Sequence, residues 1–250
     1  MKKILLFVLT GFTLIACSDS DEGDENNNNG FESGYATGKL TDTQGNPIAG
    51  AKILLDNAVY YASYLTGTSK EDGTYKIRIE PGAWNAYASF EKEYNGQTYP
   101  LQLHPDNHDV FNEEGVVRNF TWKLEGRYPD TEYSYYGGFI QLSSDIGFYE
   151  DFQNVKLTLT PSGPLIDGSQ GQTIQLEYGD HYWVDLYQIE DVPIGRYIVT
   201  AELQTENGTQ PLRIQNWHNQ GEYFEAFQLD FIPDDSEYAP RNSASIIIGY

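Results

Sequence analysis

The sequence predicts an all-β protein made of two tandem antiparallel β-sandwiches. Three observations carry this expectation. Twenty tyrosines and 24 glycines are spread over 250 residues, a composition that favours strands and the turns between them. Apolar residues recur with period two over short stretches, each closed by Gly, Pro, Asn or Asp. No stretch sustains the 3.6-residue period of an amphipathic helix.

Taken in order, the chain opens with Lys2, Lys3 and an apolar run from Ile4 to Ile15, the charged-then-apolar layout of a secretory leader. The run is too short to cross a bilayer, which takes about 20 apolar residues. Leu14-Ile15-Ala16-Cys17 resembles the bacterial lipobox at every position. That resemblance implies a lipoprotein signal peptide over residues 1–16 and a Cys17 sulfur carrying diacylglycerol, so that the membrane is a partner through the lipid anchor. Cys17 is the only cysteine, so no internal disulfide competes for it. Each buried methylene contributes about 0.8 kcal/mol, and two or three acyl chains such as palmitate make attachment lasting.

Residues 17–33 read as a disordered tether. Ser18 to Glu25 is acidic, Asn26 to Asn29 is uniformly polar, and nothing here buries apolar surface. Treated as a coil it reaches about 25 Å. The acidic run after the cysteine resembles export signals that place lipoproteins on the outer face of the outer membrane, which implies a cell-surface location.

The formal charge is −22, and loss of Lys2 and Lys3 with the leader makes the mature chain more acidic still. Such a chain is not drawn to nucleic acid, so none is expected as a partner. Roughly 210 residues follow the tether, enough for two domains.

The first domain is expected over residues 34–126. Ala51, Ile53 and Leu55 alternate with Lys52 and Leu54; Glu71-Asp72-Gly73 supplies a hairpin-type turn before Tyr75, Ile77 and Ile79. Pro81-Gly82 turns the chain again, ahead of Trp84, Ala86, Ala88 and Phe90, and Phe120, Trp122 and Leu124 close the series. Gly38, Asp42, Gly45, Pro47, Gly50-Ala51, Asp72-Gly73, Tyr75 and Pro81-Gly82 together resemble the carboxypeptidase regulatory-like domain. The resemblance implies a prealbumin-like, Ig-like β-sandwich of about seven strands and a noncatalytic accessory module.

Residues 127–133 read as a linker, and 134–250 as a second sandwich of the same design. Val155 to Leu159 echoes Ala51 to Leu55, Tyr187 and Ile189 echo Tyr75 and Ile77, and Val199, Ala201 and Leu203 stand for Ala86, Ala88 and Phe90. Asn207-Gly208 mirrors Asn95-Gly96, and Phe227, Leu229 and Phe231 mirror Phe120, Trp122 and Leu124. Ser245 to Ile248 is apolar enough for a last strand.

Catalytic constellations are missing: there is no G-x-S-x-G elbow, H-E-x-x-H, phosphate-binding glycine loop or dinucleotide fingerprint. No cofactor is expected. His104, His108 and His218, with Trp217, fall in what the repeat makes the same loop of each domain, and loops on a rigid scaffold are where recognition residues sit. His104 and His108 with Asp106 or Asp109 form a metal-like set, but Pro105 denies them a helix to align the ligands, and no metal is expected. Trp84 and Trp122 are in phase with the core, and Trp183 shares a face with Tyr187 and Ile189 unless a bulge intervenes. Trp217 alone lies among polar neighbours, where a ring stacks on a sugar or anchors a protein. Tyr133, Tyr135 and Tyr136 offer a second surface at the domain junction.

The resulting expectation is a noncatalytic outer-membrane lipoprotein, a binding or assembly module whose partner is an extracellular glycan or protein. Its alternatives are a pure spacer that presents a partner and a hydrolase working through acidic side chains.

Overall fold

The computed structural model describes residues 30–129, 134–185, 187–218, 221–234, 236 and 241–250. The signal peptide, Cys17 and the tether up to residue 29 lie outside the described residues, as does Tyr133.

The chain is all-β. The first half contributes β1 (Tyr35–Thr41), β2 (Lys52–Asn57), β3 (Tyr64–Thr68), β4 (Thr74–Arg78), β5 (Trp84–Tyr94), β6 (Gln97–Pro105), β7 (Val116–Val117) and β8 (Phe120–Trp122). The second contributes β9 (Gly138–Ser144), β10 (Val155–Pro161), β11 (Ile174–Glu177), β12 (Trp183–Asp185), β13 (Gln188–Val192), β14 (Tyr197–Thr205), β15 (Gly208–Asn216), β16 (Phe227–Leu229) and β17 (Ser243–Gly249), with one 3-10 turn at Phe152–Asn154.

Period-two burial explains the strands. Ile53 and Leu55 are fully buried on β2 while Lys52 is exposed; on β4, Tyr75 and Ile77 point inward and Lys76 and Arg78 outward. Val155, Leu157 and Leu159 repeat the pattern on β10.

Hydrogen bonding orders the first ladder as β3-β2-β5-β6-β8-β1-β4, and the second as β11-β10-β14-β15-β17-β9-β13-β12. Position by position the two orders are the same, with β12 added at one edge. Along these orders one pair in each is parallel, β8 with β1 and β17 with β9, and the short β7 also runs parallel to β1; the other pairs are antiparallel.

That correspondence corrects part of the repeat. The strand that closes the second sandwich in the place of β8 is β17, not Phe227 to Phe231. Phe227–Leu229 instead pairs with the start of β14, where Phe111 bridges to Trp84 in the first sandwich. Phe227 and Leu229 are buried, so the inward row was real and only its partner was misassigned.

Four further expectations change. The Asp72-Gly73 turn does not join two paired strands: β3 pairs with β2 and β4 with β1, so it carries the chain from one sheet to the other. Gly73 holds φ at 77°, and a Cβ there would lie 2.6 Å from the Leu40 carbonyl oxygen. Residues 30–33 belong to the fold rather than to the tether, because Thr37 Oγ1 donates to the Gly30 carbonyl (2.6 Å) and Lys76 Nζ meets Glu32 Oε1 (2.6 Å). Tyr187 is half-exposed rather than inward, since the register slips between Trp183 and Asp185 and leaves only Trp183 and Ile189 on the buried side. Within 127–133, Tyr128 is buried, and the bonds Tyr128 N to Ser134 O and Tyr136 N to Gly126 O (both 2.9 Å) fold its flanks into a hairpin.

The two sandwiches meet along a bonded seam. Tyr99 Oη donates to the Phe231 carbonyl (2.6 Å), Tyr94 Oη to the Pro164 carbonyl (2.8 Å), and Thr43 Oγ1 to Asp167 Oδ2 (2.8 Å). One hydrophobic core cluster contains buried residues of both. Where the chain passes from the first sandwich to the second, Asp191, 2% exposed, accepts from Gly126 N at both carboxylate oxygens (2.8 Å each) and from Gly137 N (3.2 Å).

Strand directions fix the long axis. β1 begins near Gly30 and ends toward Thr43, which touches the second sandwich; β10 begins at Val155 and ends toward Pro164 and Asp167, which touch the first. Gly30 and Val155 therefore stand at opposite ends of the pair.

Candidate functional site

The loop with Trp217 and His218 leaves the end of β15. Pairing of Asn216 with Ile246 is the last rung of that ladder, and the Trp217 backbone N–H then donates to the Ser245 carbonyl (3.1 Å). His218 N donates to Asn216 Oδ1 (2.8 Å), and Gln215 Nε2 to the Gly221 carbonyl (2.7 Å). An asparagine at the strand end thus closes a local turn, as short polar side chains do, and the indole emerges from it 46% exposed.

Beside this turn is a hollow of about 160 Å³ at the seam, where His218, Asn216 and Ser245 of the second sandwich face Gln97 of the first. His218 lines it. A wider groove of about 830 Å³ lies across the outer side of β2, β5 and β6, with Lys52, Glu91 and Thr98 on its floor and Asp234 and Ser236 on its wall. It offers hydroxyls and charges of both signs.

His218 is not brought together with His104 and His108. His104 lies within β6 rather than in a loop, half-buried, its Nδ1 2.9 Å from Tyr136 Oη and its ring edge-on to the tyrosine at 5.7 Å. Burial, helped by the nearby Lys123 and His108 charges, lowers its pKa and keeps the imidazole neutral. His108 is exposed beyond the strand end. His218 stands by Gln97, the first residue of β6, whereas His104 is near its last, a separation on the order of 20 Å along an extended strand.

The acids paired with them in sequence are already engaged: Asp106 accepts from Asn119 Nδ2 (2.8 Å) and Asp109 from Asn107 Nδ2 (3.1 Å). Among the described residues no group of three or more His, Cys, Asp or Glu side chains is placed to hold a metal ion. Tyr136 is buried between His104 and Tyr128, whose ring lies 4.2 Å away, so it forms packing rather than part of the second surface expected from sequence; Tyr135 is half-buried beside Arg127, and Tyr133 lies outside the described residues.

Sequence reasoning missed the acidic pair at the seam. Glu190 is buried against Arg241 Nη2 (2.6 Å) and Asp191 against the Gly126 and Gly137 amides, with His181 Nε2 3.8 Å from Asp191. Burial raises both carboxyl pKa values, against the opposing pull of Arg241 on Glu190 and of the backbone amides on Asp191. Shifts in the same direction do not divide the two into an acid and a base. The available signal was two adjacent acids inside the apolar run Ile189 to Ile194, where one side chain of the two must face inward.

No family model matches the chain, and no curated protein matches it. Among solved structures it is similar to a candidate adhesin from Bacteroides ovatus (12% identity, 80% of this chain and 87% of that one, TM-score 0.24). It is also similar to a streptococcal ancillary pilin (9%, 86% and 62%, TM-score 0.25). A third is the major pilin of Streptococcus pyogenes (12%, 88% and 97%, TM-score 0.27). At these identities and TM-scores the likenesses carry no argument about what the chain does.

Proposed function

We propose that the chain is a noncatalytic, surface-displayed outer-membrane lipoprotein, held by acyl chains on Cys17. Its two prealbumin-like sandwiches serve as a binding or assembly module. The observation that carries this reading is the placement of Gly30, the first described residue after the tether, at one end of two sandwiches fused along a bonded seam. Such a body stands off a membrane as one stiff piece, with its flanks and its far end available to partners. On the flank, Trp217 and the hollow lined by His218 are the proposed contact for an extracellular glycan or protein.

Two measurements test it. Mass spectrometry of the purified chain should find a diacylglyceryl group on Cys17, and Cys17→Ala should release the protein from the membrane fraction. On intact cells, added protease should remove the wild-type chain. An unmodified thiol, or protection from protease, overturns the reading. Trp217→Ala should weaken partner capture at least tenfold, the loss of about 1.4 kcal/mol.

A spacer that merely presents another protein is the second reading, favoured by the stiffness of the seam. It requires capture to be indifferent to Trp217→Ala.

A further inference from the structure

We propose that the far end of the second sandwich, centred on Tyr149, is a second contact surface and that it takes a neutral glycan. The proposal rests on the surface-module reading above and adds to it a place and a ligand class.

The loop from 145 to 151 joins β9 to the 3-10 turn and lies at the Val155 end of the pair, away from Gly30. Ile146 is 99% and Tyr149 91% exposed, and Tyr187, which packs on Phe152 of the same segment, is 49% exposed. A chain that hides Phe148 and Phe152 in the same loop has apolar positions to spare for burial, so leaving a Tyr and an Ile in water is a feature to explain.

The loop is held from beneath. Phe148 and Phe152 are buried with ring centroids 6.1 Å apart; Phe152 meets Tyr187 edge-on at 5.6 Å, and Phe148 lies 5.2 Å from Tyr250. Asp145 N donates to the Ile248 carbonyl (2.8 Å) and Phe148 N to the Asp145 carbonyl (3.1 Å). Little conformational entropy remains to be lost when the exposed rings meet a ligand.

Around these rings stand fixed acceptors. Glu150 Oε1 accepts from Tyr250 Oη (2.8 Å), Asp145 accepts from Ile146 N (2.7 Å) and from the Tyr223 hydroxyl, and Asp185 accepts from Tyr187 N (2.8 Å). Each carboxylate keeps lone pairs for a second donor.

Exposed ring faces next to oriented acceptors match a saccharide, which offers an apolar C–H face and a rim of hydroxyl donors. Residues 144–154 hold three acids, Asp145, Glu150 and Asp151, and no Lys, Arg or His, so sulfated, uronic or sialylated polymers and nucleic acids are repelled. A few side chains on one loop also fall well short of the roughly 800 Å² per partner that a stable protein interface covers.

The test uses the full chain in detergent on an array of neutral oligosaccharides (glucans, mannans, xylans, galactans) together with sulfated and sialylated ones. We expect neutral glycans alone to bind and Tyr149→Ala to weaken that binding at least tenfold. Ring carbons of Tyr149 and Tyr187, labelled with carbon-13, should shift on titration with the oligosaccharide that scores, which separates contact from misfolding.

Neutral binding that survives Tyr149→Ala, or that is abolished by Trp217→Ala alone, overturns the proposal and leaves the surface-module reading standing. Binding confined to sulfated or sialylated glycans overturns it as well. So does the absence of any glycan binding by a chain that is lipidated and protease-accessible on cells, whereas loss of lipidation overturns the underlying reading instead.

Discussion

Asp191 sits at φ 64°, a conformation that costs a non-glycine residue roughly 1 kcal/mol. The strain is offset because that backbone aims its carboxylate at the amides of Gly126, after β8, and Gly137, just before β9. A Cβ on Gly137 would come within 2.4 Å of the Asp191 carbonyl carbon, so glycine is required there to let the two backbones meet. Burial raises the Asp191 pKa, so the native state binds its proton more readily than the unfolded chain does. Its contribution to stability is therefore greatest below the ordinary carboxylate pKa and is lost as pH rises through the elevated one. Thermal midpoints of wild type and Asp191→Asn, compared from about pH 4 to about pH 7, should show the wild type losing ground to the variant as pH rises. A difference that is flat with pH would show that Asp191 does not titrate in that range. The acid itself was visible in the sequence, inside an apolar run. Its partners lie 65 and 54 residues away, and no local pattern reports a contact of that separation.

Among the elements, those with a clean inward row were legible: β2, β4, β10 and β14 each carry alternating Ile, Leu, Val or aromatic residues. β3 was not, and the reason is Gly67. It occupies an inward position of Tyr64–Thr68 where a Cβ would lie 2.7 Å from Ile77, so the strand has only Leu65 to mark its buried face. β17 was legible as a strand but not as the partner of β9, because register belongs to the pair and not to either sequence. Close approach is also the role of Gly38 on β1, where a Cβ would stand 1.9 Å from the Arg118 carbonyl oxygen and 2.9 Å from the Tyr75 ring. Gly38→Ala must push β1 from the segment leading into β8, at a cost of about 3 kcal/mol measured by urea denaturation. A loss below about 1 kcal/mol would mean the two segments separate easily.

At the scale of the molecule, the shared core and the bonds from Tyr94, Tyr99 and Gly126 predict one cooperative unfolding transition rather than two. A chain ending at Tyr128 loses those three bonds. At about 1 kcal/mol each, and roughly 4–8 °C per kcal/mol for a domain of this size, it should melt about 12–24 °C lower. Two separate transitions in the intact chain would contradict this. The Trp217 loop was legible because an indole among Asn, His and Gln has no strand to belong to, and the structure does leave it exposed. The far loop was not, since Ile146, Tyr149 and Phe148 read alike in sequence and only the folded chain separates the exposed from the buried.

The topology also decides how the body answers tension. β1, which follows residue 30, lies inside the first ladder between β4 and β8 and is not at its rim. A tug entering through residue 30 and resisted at the far loop runs along that strand, loading its rungs sideways and all at once instead of peeling them one by one. The first sandwich is thereby built to yield late under load, a property the proposed surface module would use.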